Sequence, residues 1–478
     1  MGPLHSMHSK EREYLSLILS LADAPVYLVG GTLRDLVLNA AEMKDIDIVM
    51  QTGSSILARR FADAVGGSFF FLDQERGMSR VVRHESDRSI QFDFADFIGP
   101  DLHADLGRRD FTMNAMAVEL GDFIGRGMDA CVIDPFLGRD DIQSRTIRVV
   151  IPDVLDDDPL RLLRAVRFSA QLGFTIEHGT AEHIRSRSHL ISGPAPERIR
   201  DELFQIFSSR GTAVNLSLMD SLGMLLRIFP ELAPLKGFAP GRYHAYDVLT
   251  HSIKTADYVD GVVEDLQRIA PDFADRVRGH LEEPLEQFVD RKAALRFACL
   301  LHDIGKPESF TEKDGHIRFH GHDSLGAERV EAICQRLRLS RATELLVTKT
   351  IRHHMRLFHL ATPGGPGRHA MFRYCRDLGA DLPESIVLAL ADSRSTFENM
   401  PAEKFLDTEK YAAYVLEYYY AGFLKTDEKP LVTGKDLIEL GFAPGPRFGK
   451  ILDEVKERLA EGAITTREEA LSYIKKLK

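Results

Sequence analysis

The spacing of apolar and polar residues divides the chain into a first part of alternating strands and helices and a longer helical remainder. Short apolar or alternating runs predict strands, and amphipathic stretches predict helices. Near the start, residues 11–21, 32–39 and 54–65 are expected to be helical. The expected strands are residues 26–29, 45–49, 68–72, 79–84 and 89–96.

Residues 156–174 are also expected to form one helix. Its first turn would contain Pro159, which is tolerated there, and the preceding acids suit the helix dipole. Leu160, Leu163 and Val166 would supply its buried side, together with Phe168.

The length of 478 residues exceeds what one hydrophobic core usually supports, so two to four domains are expected. With 44% hydrophobic and 28% charged residues, the composition is that of an ordinary globular protein. The net charge of −11 argues against a non-specific nucleic-acid binder. It leaves room for an RNA enzyme, because a basic face can form locally on an acidic protein.

The sequence also bears on location. There is no apolar run of membrane-spanning length and no apolar signal core near the start, so no membrane partner is expected. The four cysteines are scattered, which suggests a reducing compartment. A cytoplasmic protein is therefore expected.

The first candidate site follows the strand 26–29, where Gly30-Gly31 would allow a tight turn and close backbone approach to a ligand. The helix after this turn would present free N–H groups, an arrangement that binds phosphate. On the next strand, Asp45 and Asp47 are two residues apart and therefore point to one face. Paired carboxylates beside a phosphate cradle suit Mg²⁺-dependent phosphoryl transfer. Asp93 on the strand 89–96 is the candidate third carboxylate.

These residues, in the pattern Gly-Gly-x-x-Arg-Asp with Arg34 and Asp35 and then Asp45-x-Asp47, resemble the nucleotidyltransferase superfamily that includes DNA polymerase β. The closer resemblance is to class II tRNA nucleotidyltransferases and bacterial poly(A) polymerases with a C-terminal HD domain. It implies an α+β fold: a polymerase-β-like head with a small mixed sheet and helices, followed by all-α neck, HD and tail domains.

The resemblance also implies residue roles. Asp45 and Asp47 would hold two Mg²⁺, with Asp93 beside the attacking hydroxyl. The implied nucleotide-binding residues of the head are Gly30, Gly31, Arg34, Asp35, Arg109, Asp110 and Asn114.

The segment Asp157-Asp158-Pro159-Leu160-Arg161 resembles the family's Glu-Asp-x-x-Arg motif, with Asp in place of Glu. In that family the Asp and Arg of the motif face the incoming base, so protein replaces a template. Asp158 and Arg161 would be neighbours on one helix face. They would favour C and A over G and U, and Arg164 and Arg167 are assigned to the same nucleotide site.

A second chemistry is expected after residue 240. His251, the pair His302-Asp303 and Asp392 match the order of the HD-type metal-dependent phosphohydrolases. Histidine and aspartate on separate helices can hold a divalent metal such as Mn²⁺ or Ni²⁺ that activates water. A catalytically silent HD fold is the alternative. Further histidines, His320, His322, His353 and His354, enrich the same region.

The expected domains are a catalytic head (1–150), a neck (151–238), an HD domain (239–400) and a helical tail (401–478). The expected partners are tRNA and CTP or ATP, and not DNA, with addition of C or A to the tRNA 3′ end. In relatives that add all of CCA a flexible loop precedes the Arg-Arg-Asp motif, whereas here only residues 97–107 intervene. The short segment favours the CC-adding subtype. A poly(A) polymerase, or a protein whose main activity is HD phosphohydrolysis, are the alternatives.

Overall fold

The computed structural model describes residues 9–38, 45–85, 88–127, 130–239, 246–314, 316–360, 367–396, 403–424 and 430–477. These fall into two compact units. One contains residues 1–194 and 221–224, and the other contains residues 195–220 and 225–478. Among the described residues, none of the helices combines the length and apolarity needed to cross a bilayer.

The first unit is built on a seven-stranded mixed sheet with the strand order β3-β4-β5-β2-β1-β6-β7. The pair β2–β5 is parallel and the other neighbours are antiparallel. The strands are β1 (Val26–Val29), β2 (Asp45–Met50), β3 (Ser68–Asp73), β4 (Met78–His84), β5 (Ser89–Asp96), β6 (Ala117–Glu119) and β7 (Val132–Ile133). A separate pair, β8 (Thr146–Ile147) and β9 (Thr175–Ile176), is parallel.

Nine helices of the described chain belong to this unit. They are α1 (Ser9–Leu21), α2 (Gly30–Val37), α3 (Ser54–Val65), α4 (Leu102–Gly107), α5 (Leu120–Arg126), α6 (Gly138–Gln143), α7 (Val154–Asp157), α8 (Arg161–Leu172) and α9 (His178–Arg187). Two 3-10 turns occupy Thr112–Asn114 and Ser188–Ser192. The alternating strand predicted at 89–96 is confirmed, since Ile90, Phe92 and Phe94 are buried. The expected helix end at residue 39 lies outside the described residues.

The predicted single helix over 156–174 is wrong. The chain forms α7, breaks at residues 158–160 and restarts as α8 at Arg161. Asp158 has extended backbone angles (φ −142°, ψ 95°) because the ring of Pro159 disfavours the helical conformation of the residue before it. The apolar side of α8 is as expected, with Leu163 and Val166 fully buried.

The second unit is almost entirely helical. Its helices are α10 (Pro196–Ser208), α11 (Thr212–Ser221), α12 (Leu225–Ile228), α13 (Val248–Ile269), α14 (Ala274–Leu281), α15 (Arg291–Leu301), α16 (Lys306–Ser309), α17 (His322–Arg336), α18 (Arg341–His353), α19 (Arg356–Leu360), α20 (Arg368–Leu378), α21 (Leu382–Thr396), α22 (Glu403–Glu417), α23 (Gly434–Glu439), α24 (Pro446–Glu461) and α25 (Arg467–Lys476). In the described part of this unit, two antiparallel hairpins interrupt the helices: β10 (Pro284–Glu286) with β11 (Val289–Asp290), and β12 (Phe310–Lys313) with β13 (His316–Phe319). The remaining turns are 3-10 at Pro230–Leu235 and Gly379–Asp381, and a π-helical turn at Tyr418–Phe423.

The last three helices have a hydrophobic core of their own. Eight buried residues form it, among them Leu437, Val455 and Ile474. The fold is therefore α+β, with a mixed-sheet head followed by helical segments, as the sequence predicts.

Candidate active sites

The helix predicted from residue 32 begins at Gly30, directly after β1, and the first turn of this helix, α2, is held against β2 by three hydrogen bonds. The Gly31 N–H donates to Asp47 Oδ2 at 3.2 Å. Thr32 accepts from the Asp47 N–H at 2.8 Å and donates to the Asp45 carbonyl at 3.1 Å. Gly30 has φ +67°, and a Cβ there would lie 2.6 Å from Asp47 Oδ2. This position therefore requires glycine for both its backbone angle and its space.

The three predicted carboxylates are brought together on one face of the sheet. Asp45 and Asp47 alternate with buried Ile46 and Ile48 on β2. Asp93 is the direct register partner of Asp47 on the parallel neighbour β5. Burial raises the pKa of Asp47. The nearby Arg109 guanidinium opposes that change, and the carboxylates of Asp93 and Asp45 add to it.

This concentration of negative charge fits a divalent cation. Carboxylate oxygens are the ligands that Mg²⁺ prefers. Burial and, after it, the carboxylates of Asp93 and Asp45 raise the pKa of Asp47, and a bound cation would offset both effects. Asp45, Asp47 and Asp93 could hold Mg²⁺ on this face of the sheet.

Asp93 has one further neighbour that the sequence did not indicate. Arg80, its register partner on β4, donates from Nε to Oδ1 at 2.7 Å and from Nη2 to Oδ2 at 2.8 Å. Asp93 raises the pKa of the Arg80 guanidinium. The third carboxylate is therefore held in a two-pronged ion pair.

A connected polar chain links the predicted nucleotide-binding residues. Arg34 Nη1 donates to Asn114 Oδ1 at 3.0 Å, and Asn114 Nδ2 donates to Asp110 Oδ1 at 2.9 Å. Arg164 contacts Asp110 Oδ2 from both Nε and Nη2. Arg34 also pairs with Asp35. The structure thus joins α2, the Thr112–Asn114 turn and α8.

Asp110, the central residue of this hydrogen-bonded network, is kept ionised by its partners although it is buried. Desolvation alone would raise the pKa of Asp110, which is 6% exposed. The Arg164 guanidinium, the Asn114 amide and the Phe111 N–H outweigh that effect and hold the pKa at about 2. Asp110 is therefore a carboxylate at neutral pH, and it orients the groups around it.

Three arginines surround the ring of Phe168. The guanidinium carbons of Arg167, Arg34 and Arg164 lie 4.2, 5.1 and 5.3 Å from the ring centroid. Stacking on an aromatic face orients a guanidinium. The sequence analysis assigned Phe168 only to the buried side of the helix and did not predict its contacts with the three arginines. Arg109, another predicted arginine, contacts Asp105 at 3.3 Å.

Asp158 and Arg161 do not share one helix face, contrary to the prediction. Asp158 lies in the break after α7, and Arg161 is the first residue of α8. The two remain close in the chain because the Arg161 N–H donates to the Asp158 carbonyl at 3.0 Å. Arg161 Nη1 is held by the Val154 carbonyl at 2.9 Å, and burial lowers the pKa of this guanidinium.

In the second unit the four predicted HD residues meet in one buried cluster, and two further histidines join them. His251 lies on α13, His302-Asp303 follow α15, and Asp392 lies on α21. His322 begins α17 and His354 follows α18. Overlapping groups of these six residues have potential ligand atoms within 4.8 Å of one another.

Three of the four histidines are oriented in the same way. Nδ1 of His302, His322 and His354 lies 2.7–2.8 Å from a backbone carbonyl three residues earlier. A carbonyl can only accept, so each Nδ1 carries the proton and each Nε2 presents a lone pair when the ring is neutral. The His251 Nε2 lies 3.1 Å from Asp392 Oδ1. The Nε2 atoms therefore converge on the two carboxylates.

This arrangement fits a bound transition metal. The Nε2 atoms of His322 and His354 are 3.1 Å apart, and two lone pairs at that distance repel unless a cation lies between or beside them. Burial and the neighbouring His302 and His322 lower the pKa of His354 to about 4, so its ring is neutral at pH 7. Burial opposes ionisation of Asp303, yet His302 and Lys306 hold its pKa well below the usual range.

Local packing explains why the cluster forms. A Cβ on Gly305 would lie 2.3 Å from the His322 carbonyl, so only glycine lets the segment after Asp303 approach the start of α17. The sequence pointed to enrichment in histidine but gave no signal that His322 and His354 would join the cluster and His353 would not.

Family models match three segments of the chain. The Poly A polymerase head domain model matches residues 26–148. The model called probable RNA and SrmB- binding site of polymerase A matches 173–236, and the HD domain model matches 248–396. The first unit thus carries a polymerase-type nucleotidyltransferase head.

Similarity also extends along the whole chain. The A-adding tRNA nucleotidyltransferase of Deinococcus radiodurans is 32% identical over 94% of this chain and 94% of its own. The CC-adding tRNA nucleotidyltransferase of Geobacter sulfurreducens is 31% identical over 96% and 94%. The chain therefore belongs to the tRNA nucleotidyltransferase family and is a nucleotidyltransferase.

A solved structure shares the fold. The Thermotoga maritima CCA-adding enzyme complexed with tRNA has a TM-score of 0.61 at 20% identity, covering 100% of this chain and 98% of that one. The predicted family, fold class and enzyme class are confirmed.

Proposed function

We propose that the protein extends the 3′ end of tRNA with C from CTP by two-metal phosphoryl transfer. The CC-adding subtype, which adds two C residues, is the favoured assignment. The observation that carries the proposal is the in-register pair Asp47–Asp93, with Asp45 on the same face and the Gly30-Gly31 turn beside it. Membership in the tRNA nucleotidyltransferase family supports tRNA as the acceptor.

The carboxylates divide the work at the reacting atoms. Asp45 and Asp47 would hold Mg²⁺ beside the triphosphate, and Asp93 would lie beside the attacking 3′ hydroxyl. When bound, the two Mg²⁺ supply Lewis-acid stabilisation of the attacking and leaving oxygens. The sheet contributes a fixed spacing between the carboxylates, so little reorganisation accompanies the transfer.

The nucleotide is held by the polar chain around Phe168. Gly30, Gly31 and Arg34 face the triphosphate, with Arg109 beside the turn. Asp110 and Asn114 orient the arginines and offer hydrogen bonds to the sugar. Asp158 and Arg161 read the base edge, with Arg161 already anchored by the Val154 carbonyl. A carboxylate beside a guanidinium suits the amino groups and ring nitrogens of C and A.

The segment between Asp93 and the Arg-Arg-Asp motif supports the CC-adding form. Asp101 caps α4 by accepting from the Ala104 N–H at 2.9 Å, and Asp105 accepts from the Ile98 N–H at 2.9 Å. Leu106 is fully buried in a cluster with Val29 and Val49. A capped helix packed into the core leaves little freedom to rearrange between adding C and adding A.

Two variants test the transferase site. Asp47→Asn should abolish nucleotide addition to tRNA, because it removes a central carboxylate while keeping the side-chain shape. His302→Ala, which alters the other unit, should leave that addition at the wild-type rate. Retained addition by Asp47→Asn, or loss under His302→Ala, would refute the assignment of transfer to the first unit.

A second candidate function is supported by the six-residue cluster of the second unit. Four histidines with inward Nε2 atoms and two buried aspartates suit Mn²⁺, Ni²⁺ or a similar divalent ion. When bound, the metal supplies activation of water against a phosphoester. With Mn²⁺ or Ni²⁺ added, hydrolysis of bis(p-nitrophenyl) phosphate that disappears in Asp303→Asn would support it. A wild-type protein that binds these ions without hydrolysis would instead indicate a silent HD fold.

A further inference from the structure

Arg80 and Asp93 make a contact for which the reaction scheme above has no role. The guanidinium grips both carboxylate oxygens, at 2.7 and 2.8 Å. The two side chains are 34% and 28% exposed, so the pair lies at the water-accessible face of the sheet and not in its core. The contact is therefore accessible to a substrate that binds on this face of the sheet.

The sheet register shows on which side of Asp93 the Arg80 side chain lies. Arg80 on β4, Asp93 on β5 and Asp47 on β2 are register partners on successive strands, so they form one row on one face. Arg80 touches Asp93 from the side away from Asp47. The Gly30-Gly31 turn follows β1, on the far side of β2 from Asp93. Arg80 is therefore separated from the nucleotide cradle by two strands.

We propose that Arg80 is a positioning residue: it fixes the orientation of the Asp93 carboxylate and so governs attack by the tRNA 3′ hydroxyl, without contributing to nucleotide binding. This rests on the proposed function, in which Asp93 lies beside that hydroxyl. A lone aspartate rotates about its last torsion, whereas a two-pronged guanidinium contact fixes the plane of the carboxylate. Arg80 also offsets one of the three crowded negative charges.

The test compares variants of two arginines on the same strand. Arg83 on β4 is 35% exposed but pairs with buried Ile90, hence lies on the opposite face, and contacts the Gly66 carbonyl. Addition of nucleotide to tRNA is measured for Arg80→Gln, Arg80→Lys and the control Arg83→Gln. Arg80→Gln should lower kcat about 10- to 100-fold, the usual effect of losing a partner that orients a ligand residue. Its nucleotide KM should stay within about twofold of wild type.

Arg80→Lys should recover part of the lost kcat, because it restores the charge without the fork, and Arg83→Gln should behave as wild type. A wild-type kcat in Arg80→Gln would overturn the inference. An increase in nucleotide KM that accounts for the whole loss would overturn it too. If Arg80→Gln does not fold, Arg80→Lys decides: a lower kcat at unchanged KM supports the inference, and a wild-type kcat refutes it.

Asp93→Asn separates this inference from the proposed function. If Asp93→Asn is inactive and Arg80→Gln is fully active, only the positioning role fails. If Asp93→Asn itself keeps the wild-type rate, the third carboxylate of the proposed function fails. If Asp93→Asn keeps a measurable residual activity, adding Arg80→Gln should cause no further loss of it.

Discussion

Arg164 and Asp110 form an ion pair across 54 residues of sequence, with Arg164 Nε and Nη2 at 2.8 and 2.7 Å from the same carboxylate oxygen. The pair connects α8 to the Arg-Arg-Asp segment of the head. Through Asn114, the same carboxylate is linked to Arg34 on α2, the helix that begins at Gly30. One buried charge therefore orients two arginines of the proposed nucleotide site.

We expect Asp110→Asn to raise the nucleotide KM while lowering the free energy of unfolding only moderately. Arg164 would lose its charged partner, and an amide at position 110 can donate to Asn114 instead of accepting from it. Nucleotide KM should rise while the melt remains cooperative, with a stability loss of roughly 1–3 kcal/mol. Steady-state kinetics and urea unfolding measure the two effects. An unchanged KM at normal stability would contradict the proposed role of Asp110.

The same variant has a predicted pH signature. The folded pKa of Asp110 is about 2, below its ordinary value of 3.8. Such a group contributes stability that is present above the unfolded pKa and is lost as pH falls through the folded pKa. The contribution is about 2 kcal/mol at neutral pH. The free energies of unfolding of wild type and Asp110→Asn, measured with urea, should therefore differ by a constant amount between about pH 5 and 8. This difference should become smaller below about pH 4. A gap that widens on acidification would contradict the assignment.

The two adjacent glycines of the turn should respond differently to alanine. At Gly30 a Cβ would meet Asp47 Oδ2 at 2.6 Å and Arg109 Nη1 at 3.0 Å, with φ at +67°. At Gly31 the nearest atom is Arg34 Nη2 at 3.6 Å, an ordinary contact. Gly30→Ala should lose most activity and about 1–2 kcal/mol of stability. Gly31→Ala should fold normally and mainly raise nucleotide KM. Equal effects on folding and activity would refute the close-approach argument.

Adjacent histidines offer a matched test of the second unit. His354 belongs to the metal-type cluster, whereas His353 does not, although burial lowers the pKa of both to about 4. His354→Ala should reduce the amount of Mn²⁺ or Ni²⁺ retained after gel filtration, measured by elemental analysis. His353→Ala should retain the wild-type amount, and both should add nucleotide to tRNA normally. Equal retention in both variants would remove His354 from the ligand set.

Much of the head could be predicted because its chemistry is local in sequence. Strand alternation placed Asp45 and Asp47 on one face, and β5 presents Asp93 as expected. Pro159 shows where local patterns mislead. Acids before a proline and apolar spacing after it are typical of a helix start, and that start is α8. The error was to extend the helix backwards through Asp158, where the proline ring forbids it.

The contacts that sequence reasoning missed are long-range. Arg80 faces Asp93 only because of the β4–β5 register, and His322 meets His354 only because α17 packs beside α18. An arginine in a strand and a histidine at a helix start are common. Their spacing in the sequence does not indicate which distant residue each one contacts. The register and the helix packing are decided by the whole core, so these residues could be found only in three dimensions.

The most direct test uses purified protein, Mg²⁺ and three tRNA transcripts that end before CCA, after the first C, and after CC. Labelled CTP or ATP is supplied, and the products are resolved to single nucleotides. The account predicts two additions of C to the first transcript, one to the second, and no A on the third. Addition of a single A to the CC-ended transcript would contradict the CC-adding assignment while keeping the transferase site. Long A tracts would indicate a poly(A) polymerase, and absence of any addition would contradict the central claim that the first unit extends tRNA.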